Sequence, residues 1–248
     1  MYLYIYDSFL SEPKYSGLLS SVERRITDLD IKGKIARLSI LKNTKELILD
    51  AVKNGYTTIV AVGDDQTFAK IINVIAPLDV TFGVIPSDAK SSIARVLGIP
   101  PRELACDVLA ARSVKKLDLG KINNYYFLNA AEIQNAKVSI NCNGYEVMPT
   151  TTRNTVRISN IISATDAVKS NPTDGILEAI ITPISTRLFM HHALHPTVLP
   201  FTKIRIHTDE EGGASILTDE HTILKTPAVV EIAPKQLRII VGTNRLFD

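Results

Sequence analysis

Two adjacent acids stand where an apolar, β-branched run stops and a helical pattern starts. Thr57-Thr58-Ile59-Val60-Ala61-Val62 leads into Gly63-Asp64-Asp65-Gln66-Thr67, and a 3.6-residue apolar period follows from Phe68 to Asn73. Strand, tight turn and helix in that order put free amides and a helix N-terminus at the carboxyl end of a strand, where phosphates bind. The turn has one glycine, Gly63, so backbone close to a phosphate is limited to one residue without a Cβ. Asp64 adds a negative charge, and two unit charges about 4 Å apart interact by roughly 4 kcal/mol at an effective dielectric near 20. A Mg²⁺ held by Asp65, with Asp64 as second ligand, would reverse that sign, since carboxylate oxygens suit the ion. The competing reading is an acidic N-cap cluster that stabilises the helix through its dipole. Gly63, Asp64, Gln66 and Thr67 are therefore the candidate nucleotide contacts, and Asp65 the candidate metal ligand.

A second turn of the same kind follows Val80-Ile85. In Asp88-Ala89-Lys90-Ser91-Ser92, either serine can cap the next helix, and Lys90 offers a point charge to a phosphate. Asp88, Lys90 and Ser91 join the cofactor-binding candidates, with simple helix capping as the plainer account. His191 and His195 are four residues apart and could share a helix face, but no third ligand accompanies them or His192, which favours a packing role over metal. No Walker A pattern, G-x-G-x-x-G or Ser-His-Asp order is present.

The elements that must position these turns alternate up to about residue 112. Tyr2-Tyr6, Ile35-Leu38, Thr57-Val62 and Val80-Ile85 read as strands; Tyr15-Leu29, the segment from Asn43 to Asn54, Ser91-Leu97 and Pro101-Ala111 read as helices. Asn43 with Glu46 three residues on resembles a capping box. Alternation of this kind predicts a parallel sheet covered on both faces, with ligands at the carboxyl ends of strands. Beyond about residue 118 the pattern changes to short β-like runs: Tyr125-Ala131, Lys137-Asn141, Glu146-Met148, Thr155-Ser159, Ile176-Thr182, Lys203-Thr208, Ala214-Leu217, Ala228-Ile232 and Leu237-Val241. Asn143-Gly144 and Glu211-Gly212-Gly213 are turn signals, and only Ser185-Leu194 looks helical. The expected organisation is an α/β domain over residues 1–118 and an antiparallel β-rich domain over 119–248, with a cleft between them as the default site.

Composition narrows the class. With 248 residues, 45% hydrophobic and 22% charged, the chain has length for real cores. A net charge of +2, without a Lys/Arg run or tyrosines set among basic residues, argues against nucleic acid as a partner. Cys106 and Cys142 lack metal spacing and read as reduced thiols. Met1-Asp7 reads as a short strand meeting an acid, not a signal peptide, and no apolar run approaches the roughly 20 residues of a membrane span. The sequence predicts a soluble, cytoplasmic protein.

The two turns also carry a resemblance. Val60 to Asn73 is similar, without a gap, to the signature of the diacylglycerol kinase catalytic domain, whose turn reads Gly-Gly-Asp-Gly-Thr. Gly63, Asp65 and Thr67 match; Asp64 and Gln66 replace the other two glycines, and Lys70 stands for the usual Glu. Phe82 to Pro100 resembles the family's G-x-I-P-x-G-T-x-N-D-F-A-R-x-L-G-I-P, with Gly83, Pro86, Ala94, Arg95, Leu97, Gly98 and Pro100 intact and Asp88-Ser92 in place of Gly-Thr-x-Asn-Asp. Val114-Lys121 with Phe127-Leu128-Asn129, Asp174-Gly175-Ile176-Leu177-Glu178, Thr218-His221 and Ala233-Val241 are weaker matches. The resemblance implies an N-terminal parallel-sheet α/β domain, a C-terminal antiparallel β-sandwich, and last residues that return to the first domain. It implies ATP and Mg²⁺ as cofactors and transfer of a phosphoryl group to a lipid hydroxyl, with peripheral access to a lipid substrate at a membrane surface. By that resemblance Asp65 would be catalytic by organising Mg²⁺ and phosphates, Thr67 would cap the helix there, and Asp219 or Glu220 would be catalytic from the second domain. Because three motif centres change together, the alternatives are a kinase of reduced or lost activity, a non-catalytic lipid- or nucleotide-binding relative, and a kinase for a soluble acceptor such as NAD.

Overall fold

Apolar runs long enough to be covered from both sides dominate the first half of the chain, and they form a parallel sheet. A computed structural model describes residues 1–38, 43–142, 144–148, 154–161, 170–183, 196–219 and 222–247. Its chain divides into two compact units, Met1–Leu117 with Gln236–Asp248, and Asp118–Lys235.

In the first unit the order is β1 (Tyr2–Tyr6), α1 (Ser16–Asp28), β2 (Gly33–Arg37), α2 (Thr44–Lys53), β3 (Thr58–Gly63), α3 (Asp65–Ile75), β4 (Thr81–Pro86), α4 (Ser92–Val96) and α5 (Ala105–Ala111). The strands lie side by side as β2, β1, β3, β4, all parallel, with Tyr4 opposite Val60 and Val60 opposite Gly83. Every residue of β3 and β4 is buried, as a sheet covered on both faces requires. The helices supply that cover through apolar stripes such as Leu19, Val22 and Ile26 of α1 and Phe68, Ile71, Ile72 and Ile75 of α3. Asn43 caps α2 by accepting the Lys45 N–H at 3.0 Å, one position earlier than a capping box would place the bond. The helix expected over Pro101-Ala111 is split into a 3₁₀ turn, Arg102–Leu104, and α5.

The last residues are pinned to α4 of this unit. Gly242 N–H donates to Leu97 C=O and Leu246 N–H to Val96 C=O, both at 2.9 Å. Gly98 turns at φ +68°, and a Cβ there would run into the backbone of Asn244 and Arg245. A Cβ on Gly242 would in turn collide with the Gly98 carbonyl.

The second unit is antiparallel. It holds β5 (Val114–Ile122, entering from the first unit), β6 (Tyr125–Phe127), β7 (Ala130–Ala136), β8 (Ser139–Cys142), β9 (Tyr145–Val147), β10 (Asn154–Ser159), β11 (Leu177–Pro183), β12 (Thr197–Phe201), β13 (Lys203–His207), β14 (Ser215–Thr218), β15 (Thr222–Lys225) and β16 (Ala228–Ile240, whose end belongs to the first unit). One sheet runs β12, β11, β10, β7, β14, β15; a second ladder runs β16, β13, β8, β9. Phe127, Ile133, Ile140, Val156, Ile181, Ile206 and Val230, drawn from both, share one core. The run expected as a single strand over Tyr125-Ala131 breaks at Leu128 and Asn129, whose amides go to a side chain described below. Ala228-Ile232 and Leu237-Val241, expected as two strands, are one. The end of β16 lies parallel to β4, with Arg238 opposite Thr81. The helix expected over 185–194, the histidines 191, 192 and 195, and Asn143 of the expected hairpin turn lie outside the described residues. No helix among the described residues is long and apolar enough to cross a membrane.

Cys106 and Cys142 are both buried free thiols. Burial, with Asp107 adding to it, pushes the Cys106 thiol up to about 12 from an ordinary 9.0. Between those values the unfolded chain releases a proton that the folded chain keeps, so stability falls as pH rises from 9 toward 12. Denaturant midpoints followed from pH 8 to 11 are expected to drop more steeply for the natural chain than for Cys106→Ala; equal slopes would refute the assignment. At the tail, Gly242→Ala is expected to lower unfolding free energy by about 2 kcal/mol, the usual scale of a forced overlap, and a loss below about 0.5 kcal/mol would show that the tail is not held as described.

Candidate nucleotide-binding corner

The carboxyl ends of β1, β3 and β4 gather the first unit's candidate residues, and each is held by a bond the local sequence dictates. Asp64 is the extended N-cap of α3, at φ −110° and ψ −177°. Its Oδ1 accepts the Thr67 N–H at 2.9 Å, and the Asp64 N–H points back to Thr67 Oγ1 at 3.4 Å, closing a capping box. Thr67 is buried, and its hydroxyl lies 2.8 Å from Asp7 Oδ2 and 2.9 Å from Asp64 Oδ1. One hydroxyl proton thus serves one of two carboxylates. Gly63 is required by this arrangement rather than by a ligand, because a Cβ there would sit 2.5 Å from Thr67 Oγ1.

Asp65 opens α3 and reaches across to α4. Its Oδ1 accepts the Ser91 hydroxyl, while Oδ2 accepts the Ser92 N–H and Ser92 hydroxyl, each at 2.7 Å, and the Ile93 N–H at 3.4 Å. Ser91 completes the cap by accepting the Ala94 N–H at 2.9 Å. A carboxylate among the first amides of a helix meets the positive end of its dipole, the place an external phosphate would otherwise take. Both helix starts in this corner therefore hold an anion belonging to the chain.

The remaining candidates are not drawn into this network. Gln66 and Lys90 are exposed, and Asp88, also exposed, uses Oδ1 to accept the Lys90 N–H at 2.7 Å in a local turn. Asp7 and Ser92 are the members of the corner that sequence reasoning left out of the site. Asp7 had a visible signal, an acid directly after the apolar run Tyr2-Tyr6, at the carboxyl end of a parallel strand. Among the described residues no group of three or more His, Cys, Asp or Glu is placed to hold a metal ion.

In the second unit, Asp219 lies in the turn between β14 and β15, buried and at φ +45°, a left-handed value that Asp tolerates better than most residues. Its carboxylate accepts the N–H groups of Leu128 at 2.9 Å, Asn129 at 2.8 Å and Ala130 at 3.2 Å, and its own N–H donates to Ala130 C=O at 2.8 Å. Those bonds are why the strand breaks between β6 and β7. Glu220 lies outside the described residues. Asp118, also buried, accepts the Gly175 N–H at 2.7 Å and the Lys235 N–H at 2.6 Å, while Asn160 Nδ2 donates to the carbonyls of Asp118 and Leu128. Glu178 is buried nearby in sequence to that turn, and burial pushes its carboxyl above the usual range.

Residues 3–122 match the model of the diacylglycerol kinase catalytic domain. Over that segment the chain is similar to the diacylglycerol kinase catalytic domain. A diacylglycerol kinase of Bacillus subtilis (strain 168) is 36% identical over 86 residues, covering 33% of this chain and 28% of the relative. One of Staphylococcus haemolyticus (strain JCSC1435) is 37% identical over 84 residues, covering 33% and 26%. The aligned segment thus spans less than a third of those relatives. The fold likeness extends much further: a solved diacylglycerol kinase structure from Bacillus anthracis str. Sterne superposes with a TM-score of 0.80 over 98% of this chain and 97% of that one, at 19% identity. A second, described as a putative diacylglycerol kinase from the same organism, gives 0.80 at 18% identity. In the diacylglycerol kinase motif the position of Ser92 is an aspartate, which could not donate to Asp65; here an acid–hydroxyl bond stands where the motif has two acids.

Removing the Asp65 carboxylate leaves the amides of Ser92 and Ile93 without their acceptor. Asp65→Ala is expected to cost about 2–4 kcal/mol, on the scale of lost hydrogen bonds to a charged group, as read by urea denaturation. Ser92→Asp should also destabilise, by like-charge contact. If both variants unfold within about 0.5 kcal/mol of the natural chain, Asp65 is not the brace described.

Proposed function

We propose that this protein is a diacylglycerol kinase relative that keeps the fold but not the canonical phosphoryl transfer, acting as a binding module. The observation that carries the reading is the pair of resident anions: Asp64 on the Thr67 amide of α3, and Asp65 on the Ser92 and Ile93 amides of α4. A nucleotide phosphate needs those helix starts, and a phosphoryl-transfer enzyme depends on positioning and on neutralising charge. ATP with Mg²⁺ does not fit the corner as it stands. Asp64 adds charge at the turn, Gln66 adds a side chain where the family has glycine, and both oxygens of Asp65 are already taken by donors of α4.

The alternative, an ATP-dependent lipid kinase, is favoured by one feature, the aspartate kept at position 65 with Gly63 and Thr67. It requires the Asp64 cap to yield to a phosphate. The lipid acceptor, and a membrane surface as its source, belong to that alternative, as does a soluble acceptor such as NAD.

Calorimetry with millimolar ATP, with and without Mg²⁺, together with phosphoryl transfer to diacylglycerol in mixed micelles, separates the two. No heat, no melting shift and no labelled product are expected. A ligand at a hundredfold excess over Kd would stabilise the fold by about 2.7 kcal/mol, so a clear upward melting shift with turnover would overturn the proposal. The double change Asp64→Gly with Gln66→Gly is expected to create or strengthen ATP binding, since it clears one charge and two side chains from the turn.

A further inference from the structure

Of the best-kept part of the second motif, Ala94-Arg95-Val96-Leu97-Gly98-Ile99-Pro100, the corner uses only the Ala94 N–H that caps on Ser91. Packing accounts for most of it. Ala94 and Leu97 are buried, and Gly98 must lack a Cβ because the C-terminal segment lies against it. Arg95 is different. It is exposed on α4, and among the described residues its guanidinium has no hydrogen bond or ion pair.

Arg95 borders a cavity of about 560 Å³ within the first unit. That volume lies inside the range of about 300–1,000 Å³ typical of small-ligand sites. Ile99, Pro100, Leu104 and Val108 provide an apolar lining, and Thr243 and Asn244 of the C-terminal segment add a polar edge. Leu104 is 56% exposed, an apolar side chain left facing water at the rim. The acid in the lining, Asp107, is paired with Arg25, so it neither neutralises Arg95 nor repels an incoming anion at full strength. The wall formed by the C-terminal segment is set by the close approach of Gly98 and Gly242, so the cavity exists before any ligand arrives.

We propose that this cavity binds a small amphiphilic anion, with its carboxylate or phosphate head on Arg95 and its apolar body against Ile99, Pro100, Leu104 and Val108. An Arg guanidinium pairs with either head group through two parallel N–H bonds, and the apolar side chains of the lining suit an alkyl body. The proposal is independent of whether the corner at Asp64 and Asp65 takes ATP.

Titration calorimetry with octanoate, octyl phosphate and octanol tests it. Both anions should bind, and octanol at least tenfold more weakly; whichever anion binds tighter identifies the head group. Arg95→Gln should weaken the anions at least tenfold and leave octanol unchanged, with an unaltered melting temperature as the control for folding. Leu104→Asp should weaken all three. No binding of either anion at millimolar concentration, or equal anion affinity in Arg95→Gln, would overturn the proposal.

Discussion

The Asp65 carboxylate, at the start of one helix and on the first amides of the next, is the interaction on which the corner of the first unit depends. Two helices that begin beside each other at the carboxyl ends of β3 and β4 present their positive ends to the same small volume. Leaving those amides bare would be costly, and water or a bound anion can satisfy them only from outside. Asp65 satisfies α4 from within, and Asp64 does the same for α3. The rest follows from these two bonds: Thr67 turns inward, Gly63 must lack a side chain, and Asp7 closes the set from β1.

Buried carboxylates held by backbone amides recur in the second unit. Asp219 takes three N–H groups and Asp118 two. Each stands where the chain leaves regular pairing: the break between β6 and β7, the turn at Gly175, and Lys235 within β16. A carboxylate has several acceptor sites and can gather amides that point in different directions, which a backbone carbonyl cannot do alone. These acids lie in the segments that resemble family motifs, and each also holds backbone amides. In this chain Asp65, Asp118 and Asp219 all do architectural service.

The corner and the cavity beside Arg95 contrast in kind. In the corner, charge belonging to the chain fills the anion positions. At the cavity, a cation is left exposed beside an apolar wall while the nearby acid is paired elsewhere. The tail makes the difference, since Gly242–Phe247 turns back over α4 and completes that wall.

Much of the first unit was legible in the sequence, because its order rests on local patterns. Fully apolar runs became doubly covered strands, 3.6-residue stripes became helices, and Gly63 and Ser91 marked the turns. The family motif identified the segment through short-range spacing. The direction of each side chain was not legible. That Asp65 would reach α4 depends on Ser91 and Ser92, which lie 26 and 27 residues away and meet it only when β3 and β4 pair in register. Leu128 and Asn129 read as strand because their composition is strand-like; Asp219, some 90 residues on, takes their amides and breaks the run. Lys235 could not be foreseen as a continuous part of β16, since the hydrogen bond from its N–H to the Asp118 carboxylate spans 117 residues. Sequence patterns specify elements because those bonds close within a few residues, whereas the partners of a carboxylate are decided by which distant amides the fold brings to it.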